Sequence, residues 1–200
     1  MKAGRRAASH ASANEVGSDT RSFPRALRQA LRQDPDVIVV SELRDLDTIR
    51  IALTAAETGH LVLATLHTPD APQTIDRIVD VFPADQQAQV ITQLSGALEG
   101  IVCQRLIKSE RSGMVPAVEV MINTHTVSKL LENNKIETIA EAVETGGDDG
   151  MQSFNQSILG LIRGGFITEE EGMKYATNPG QLRMSLQGIN LNTGRRILMR

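Results

Sequence analysis

The 200-residue chain has one cysteine, Cys103, and no tryptophan. A single thiol excludes an internal disulfide framework, so Cys103 reads as a small buried hydrophobe. With one tyrosine and four phenylalanines, little is available for stacking bases, which argues against single-strand nucleic-acid binding. The net charge of -3 supplies no surface to neutralise phosphates along a duplex. No apolar run approaches a membrane span. The basic start (Lys2, Arg5, Arg6) is not followed by an apolar stretch, so no secretory signal is expected. The expectation is a cytoplasmic protein without direct membrane insertion, docked at a membrane only through partners. Only five lysines occur and none follows a glycine. A phosphate-cradling Gly-x-x-x-x-Gly-Lys-Ser/Thr loop, which needs that pair, is therefore missing from these residues.

What the chain does have is a strand-like run ending in an acid, Asp34-Pro35-Asp36-Val37-Ile38-Val39-Val40-Ser41-Glu42. Four successive branched residues between polar flanks predict a strand buried on both faces, the usual state in a parallel sheet. Ligands of open α/β sheets bind at the carboxyl ends of the strands, which places Glu42 where chemistry happens. An acid there can hold Mg²⁺ through water or polarise an attacking water. The plainer alternative is a core strand with a solvated acid at its end.

A second run, Leu61-Val62-Leu63-Ala64-Thr65-Leu66-His67-Thr68, follows a helical pattern from Asp45 to Thr58 with Leu46, Ile49, Leu53 and Ala56 on one face. Asp45 or Asp47 can cap that helix and Gly59 suits its stop. A strand–helix–strand unit of this kind joins a parallel pair. It predicts Glu42 and His67 at one edge of the sheet and His60 at the other end of its strand. Arg44 and Arg77 are candidates to reach across a subunit boundary, because arginine grips phosphate with a planar fork. Their plainer alternatives are surface ion pairs, with Asp45 and Asp47 for Arg44 and with Asp76 and Asp80 for Arg77. His67 and His60 have the alternative of histidines satisfied by backbone.

The segments Glu15–Phe23, DPDVIVVSELRD (34–45), TGHLVLATLHT (58–68), Thr74–Pro83 and Gly150–Phe154 together resemble the secretion and pilus motor ATPases. They are most similar to the twitching-motility branch that retracts type IV pili. The second segment resembles that family's Walker B box and the third its histidine box, with His60 and His67 in the two histidine positions. The resemblance runs from about Glu15 to about Ile189. It implies a partial RecA-like P-loop NTPase core, with Walker B and histidine-box strands but no P-loop, followed by an all-helical C-terminal region. It implies the C-terminal portion of a hexameric ATPase that powers pilus retraction with ATP and Mg²⁺. Glu42 would be the catalytic acid and would hold Mg²⁺ through water, with His67 and His60 beside it in the catalysis. Implied partners are intact motor subunits, in a homo- or hetero-hexamer, and a pilus platform protein of the inner membrane.

Departures from the family pattern matter too. The tetracysteine module of many type II secretion and pilus-assembly ATPases is missing. The retraction helix of the pilus branch corresponds to Thr126–Asn133, which keeps the apolar spacing but lacks both arginines. An accessory retraction paralogue fits equally well. Without its phosphate loop the chain is expected to be inactive alone, and whether the parent motor retracts, assembles or secretes stays open. The alternatives are a non-catalytic interaction fragment of a pilus or type II secretion motor and a partial gene product with no separate role.

The domain expectation is a disordered tail over 1–14, a partial ATPase domain over 15–122 and a helical domain over 123–200. Helices are expected over Ala71–Phe82, with Ile75, Ile78 and Val79 inward, and over Asp85–Val102. Two strands, Gln104–Lys108 and Val115–Ile122, follow around a turn at Glu110–Gly113. In the second of them Glu119 and Met121 alternate with Val118, Val120 and Ile122, as one wetter face would require. Later helices are expected over Thr126–Asn133, Ile136–Glu144, Met151–Arg163, Thr168–Thr177 and Gly180–Gln187. Gly146–Gly150 is the clearest flexible joint. Residues from Leu191 onward are expected to fray.

Overall fold

The computed structural model describes residues 22–189 except 34 and 112. The tail expected over Met1–Asn14, the matched residues Glu15–Arg21, Asp34 and the fraying expected from Leu191 lie outside the described residues. The chain divides into two compact units, one ending at Ala64 and the other beginning at Thr65.

The first unit runs α1 (Phe23–Leu31), β1 (Val37–Val40), α2 (Leu46–Glu57), β2 (Leu61–Ala64). β1 and β2 are parallel, paired from Val37 with Leu61 to Val40 with Ala64. The two carboxyl ends therefore leave from one edge. Asp45 caps α2, its carboxylate accepting from the Thr48 amide at 2.9 Å and the Thr48 hydroxyl at 2.8 Å. Gly59 makes the turn into β2 at φ +98°, a region that L side chains avoid.

Leu27, Ile38, Val40, Ile51, Ala52 and Ala55 form the core of this unit, with Leu31, Leu43 and Val62 packed beside it. This corrects the expected face of α2. Leu46, Leu53 and Ala56 are only partly buried, and Thr48, Ile49, Ile51, Ala52 and Ala55 point inward. The helix carries apolar residues on two sides. The small Ala52 and Ala55 permit the closer approach, and Thr48 can be buried because its hydroxyl is bonded to the cap.

Burial of β1 on both faces is corrected as well. Ile38 and Val40 are buried, but Val39 is 74% exposed and Val37, Leu61 and Leu63 are also exposed. Among the described residues of this unit, only one side of the two-stranded sheet is covered. The sequence reading also passed over α1, whose signal was the i, i+4 pair Leu27 and Leu31 behind Pro24 in the first turn.

The second unit opens with Thr65–Asp70 and continues α3 (Ala71–Asp80), α4 (Ala84–Ala97), β3 (Gly100–Lys108), β4 (Met114–Ile122), α5 (His125–Glu132), α6 (Ile139–Thr145), α7 (Phe154–Arg163), α8 (Glu169–Tyr175), α9 (Pro179–Leu186). Short 3₁₀ turns lie at Ile136–Thr138 and Gly147–Asp149. β3 and β4 form an antiparallel hairpin in register from Gly100 with Ile122 to Lys108 with Met114.

The expected extension of α4 to Val102 is overturned. The helix stops at Ala97, and Leu98 is extended. The Asn123 side-chain amide donates to the carbonyls of Ser95 and Leu98 at 3.1 and 2.7 Å. The apolar spacing of Leu94, Leu98 and Ile101 continued the helical period, but the pairing of Ile101 with Met121 took precedence. One face of β4 is wetter than the other, as the alternation requires. Glu119 and Met121 point inward, while Ile122 is exposed and Val118 and Val120 are partly so. Ile75, Ile78 and Val79 are buried on α3 as expected, and Cys103 is buried. Helix α7 begins later than expected because Gln152 pairs with Val120 in an isolated bridge. Ser153 then starts the helix with a capping box to Gln156.

Candidate functional site

Glu42 lies just beyond the carboxyl end of β1, on the Ser41–Asp45 loop that leads into α2. Leu43 beside it packs on the core of the unit and fixes that loop. The Glu42 carboxylate pairs with the Arg44 guanidinium at 2.6 Å; the Arg44 side chain is 75% exposed and that of Glu42 only 23%. The alternative of Arg44 pairing with Asp45 or Asp47 is therefore not the observed arrangement, since Asp45 is committed to the helix cap. The bond and charge of Glu42 raise the Arg44 pKa, which leaves an already permanent cation unchanged. An exposed pair of this kind is worth little and opens readily.

His60 sits at the opposite end of β2, where the Leu61 amide bonds to the Asp36 carbonyl. One four-residue strand, rising about 3.3 Å per residue, separates that end from the Glu42 end. The ring Nδ1 lies 3.1 Å from the Ala55 carbonyl and 3.2 Å from the Thr58 hydroxyl. A carbonyl only accepts, so Nδ1 carries the proton and Nε2 is the basic nitrogen. Nε2 is buried without a hydrogen-bond partner among the described residues. His60 thus pins the turn between α2 and β2.

In the second unit, His67 is exposed on the Thr65–Asp70 segment. The segment is held from its far side. The Thr68 and Thr74 hydroxyls are 2.7 Å apart, and the Arg105 guanidinium donates to the Pro69 carbonyl at 3.3 Å. Asp70 caps α3, accepting from the Gln73 amide at 2.9 Å. Arg77 is exposed on α3 and, among the described residues, makes no ion pair with Asp76 or Asp80. Burial and then the charge of Asp80 push the Asp76 carboxyl up. In the helix aligned with the retraction motif, Val127 and Leu131 are buried, while Lys129 pairs with Glu132 on the surface.

Sequence reasoning missed Glu119 and Arg105. Glu119 is 8% exposed. Its carboxylate accepts from the Ala71 amide at 2.9 Å. Ala71 is the first residue of α3, so the acid closes that helix N-terminus, whose free amides and dipole favour a negative group. Burial nonetheless raises its pKa above the usual carboxylate range, with the Ala71 amide pulling the other way. A lone acid in an apolar alternation was the available signal. Arg105 stacks on the Phe154 ring at 3.8 Å. Burial raises the Cys103 thiol pKa, with the Thr74 hydroxyl opposing. Among the described residues no group of three or more His, Cys, Asp and Glu could hold a metal ion. No helix among the described residues is long and apolar enough to cross a membrane.

The type IV pilus retractation ATPase PilT of Pseudomonas aeruginosa is 49% identical over 165 residues, 82% of this chain and 48% of that protein. A twitching motility protein of Neisseria gonorrhoeae is 47% identical over 82% of this chain and 44% of its own length. The crystal structure of the pilus retraction motor PilT with bound ADP matches with a TM-score of 0.75 at 46% identity, covering 82% of this chain and 46% of that one. The ATPase DotB of Legionella pneumophila matches with a TM-score of 0.71 at 26% identity, over 80% of this chain and 43% of the other. The chain thus spans about half the length of the relatives it matches. The family model described as type II/IV secretion system protein matches residues 10–147, and the chain belongs to that family.

Proposed function

We propose that the chain is the C-terminal portion of a hexameric ATPase that powers type IV pilus retraction. The observation that carries this reading is the 49% identity to a retraction ATPase over 165 residues, in a chain whose β1 leads to an acid ion-paired with an exposed arginine. In this reading residues 15–122 are a partial RecA-like core and 123–200 a helical domain. The motor works in the cytoplasm, reaching the inner membrane through a platform protein.

The donor set fits ATP with Mg²⁺. A single carboxylate at a strand end suits an ion that keeps several waters and is held by one or two acids together with phosphates. The charge neutralisation that phosphate transfer needs would be supplied by Mg²⁺ held there. Glu42 would hold the ion through water and would orient the attacking water. Arg44, whose side chain is exposed, leaves Glu42 at little cost and turns its fork toward phosphate or a neighbouring subunit, as does the exposed Arg77. His67 reports the phosphate to the moving parts, and His60 keeps the α2–β2 turn in place. No Gly-x-x-x-x-Gly-Lys-Ser/Thr loop occurs in these 200 residues, so the phosphate cradle comes from elsewhere and the chain alone does not turn over. Phosphate release by the chain should equal that of Glu42→Ala; release well above that control overturns the reading of an incomplete site.

The uncovered apolar face of β1 and β2 favours one second reading, a non-catalytic fragment that joins intact motor subunits. Co-purification with a full-length retraction ATPase supports it, and monomeric behaviour beside that ATPase counts against it.

A further inference from the structure

The second unit ties the His67 segment to a distant turn through one side chain. Arg105 projects from β3 and uses both arms of its guanidinium. Nη2 donates to the Pro69 carbonyl at 3.3 Å, two residues after His67. Nη1 donates to the Tyr175 carbonyl at 2.8 Å and to the Thr177 hydroxyl at 3.1 Å, in the turn between α8 and α9. The ring of Phe154, at the start of α7, lies under the guanidinium. The far turn is itself fixed. Asn155, buried on α7, accepts from the Thr177 and Asn178 amides at 3.0 and 3.3 Å and donates to the Asn178 carbonyl at 2.9 Å. On the facing strand β4, Glu119 accepts from the first amide of α3. Four successive positions after His67, from Thr68 to Ala71, are therefore anchored to β3, β4 or α3.

We propose that Arg105 is a positioning residue that locks the His67 segment to the α8–α9 turn, so that displacement of either is felt by the other. The assignment of what His67 senses rests on the reading above; the linkage itself does not. A planar fork with several donors is required, since three acceptors on two segments are engaged at once. Lysine, a single ammonium on a flexible stem, cannot span them while its stem also covers the Phe154 ring. The segment and the turn therefore form one element that a bound phosphate on one side and the C-terminal helices on the other can both bias.

The test follows the imidazole resonances of the full chain by two-dimensional ¹H–¹³C NMR without nucleotide, with His67 assigned through His67→Gln. The expected result is that Arg105→Ala and Arg105→Lys both shift or broaden the His67 signal and leave His60 and His125 in place. Thr177→Val, which removes one bond on the far side and keeps the rest of the structure, moves His67 in the same direction by a smaller amount. On an Arg105→Ala background it adds nothing. An unmoved His67 in Arg105→Lys or in Thr177→Val overturns the linkage. So does an equal shift at His125, which would mark a general loosening of the unit. No nucleotide enters this measurement, so it can succeed even if His67 proves to have no role with phosphate.

Discussion

Two glutamates, one in each compact unit, occupy opposite extremes. Glu42 stands past the end of a short parallel strand, with an exposed arginine as its ion-pair partner. Glu119 stands in the middle of a long antiparallel strand, buried, with its carboxylate on the amide that opens α3. Loosely held acids at strand ends are available for chemistry, whereas an acid whose acceptors are occupied by backbone amides is part of the scaffold. The carboxylate suited to catalysis is the one whose removal should cost the fold least.

That contrast can be broken by stability measurements. Glu119→Ala should give the largest effect. It leaves the Ala71 amide unsatisfied in a buried place, at about 1–3 kcal/mol, read from the urea midpoint. A loss below about 1 kcal/mol would place Glu119 among ordinary surface acids. Asp45→Ala comes next. Loss of the α2 cap should cost about 1 kcal/mol, and the loss should be confined to signals from residues 22–64. Glu42→Gln and Arg44→Ala should be smallest, within about 0.5 kcal/mol of wild type, because their pair is exposed.

The pH dependence sharpens the same comparison. The Glu119 pKa is raised in the folded state, so the folded chain holds its proton more tightly than the unfolded chain, where a glutamate titrates near 4.3. Stability from this group is therefore complete below about pH 4 and is lost as pH rises through the raised value. Asp76, raised as well, adds to the slope with the same sign. Glu119→Gln should flatten the fall in urea midpoint between about pH 4 and pH 7 without abolishing it. An unchanged slope would show that the buried acid does not titrate there.

Much of the candidate site was legible because it depends on local chemistry. The acid after a branched run, the helix between two runs, the Asp45 cap and the Gly59 turn all follow from residue types at fixed offsets. The opposite placement of His60 followed from strand direction alone. What failed depends on partners far along the chain. Burial of Val37 and Val39 was read from their own apolarity, yet a face is buried only if something lies on it. The inward side of α2 was set by the small Ala52 and Ala55, while the larger Leu46 and Leu53 drew the eye. Leu98 and Ile101 kept the helical period until the pairing with β4 and the Asn123 amide ended α4. Glu119 and Arg105 gave no local sign of their roles, because the amides and carbonyls they engage lie about 36 to 70 residues away.

The central claim is that Glu42 is the acid that organises hydrolysis once a phosphate cradle is supplied. The direct measurement replaces the matching half of the Pseudomonas aeruginosa retraction ATPase with residues 15–200 of this chain and follows phosphate release with Mg²⁺ and ATP. Turnover by the chimera that Glu42→Gln lowers by roughly 10²-fold or more, the scale of a lost acid–base group, is the predicted result. Turnover that survives Glu42→Gln unchanged would contradict it.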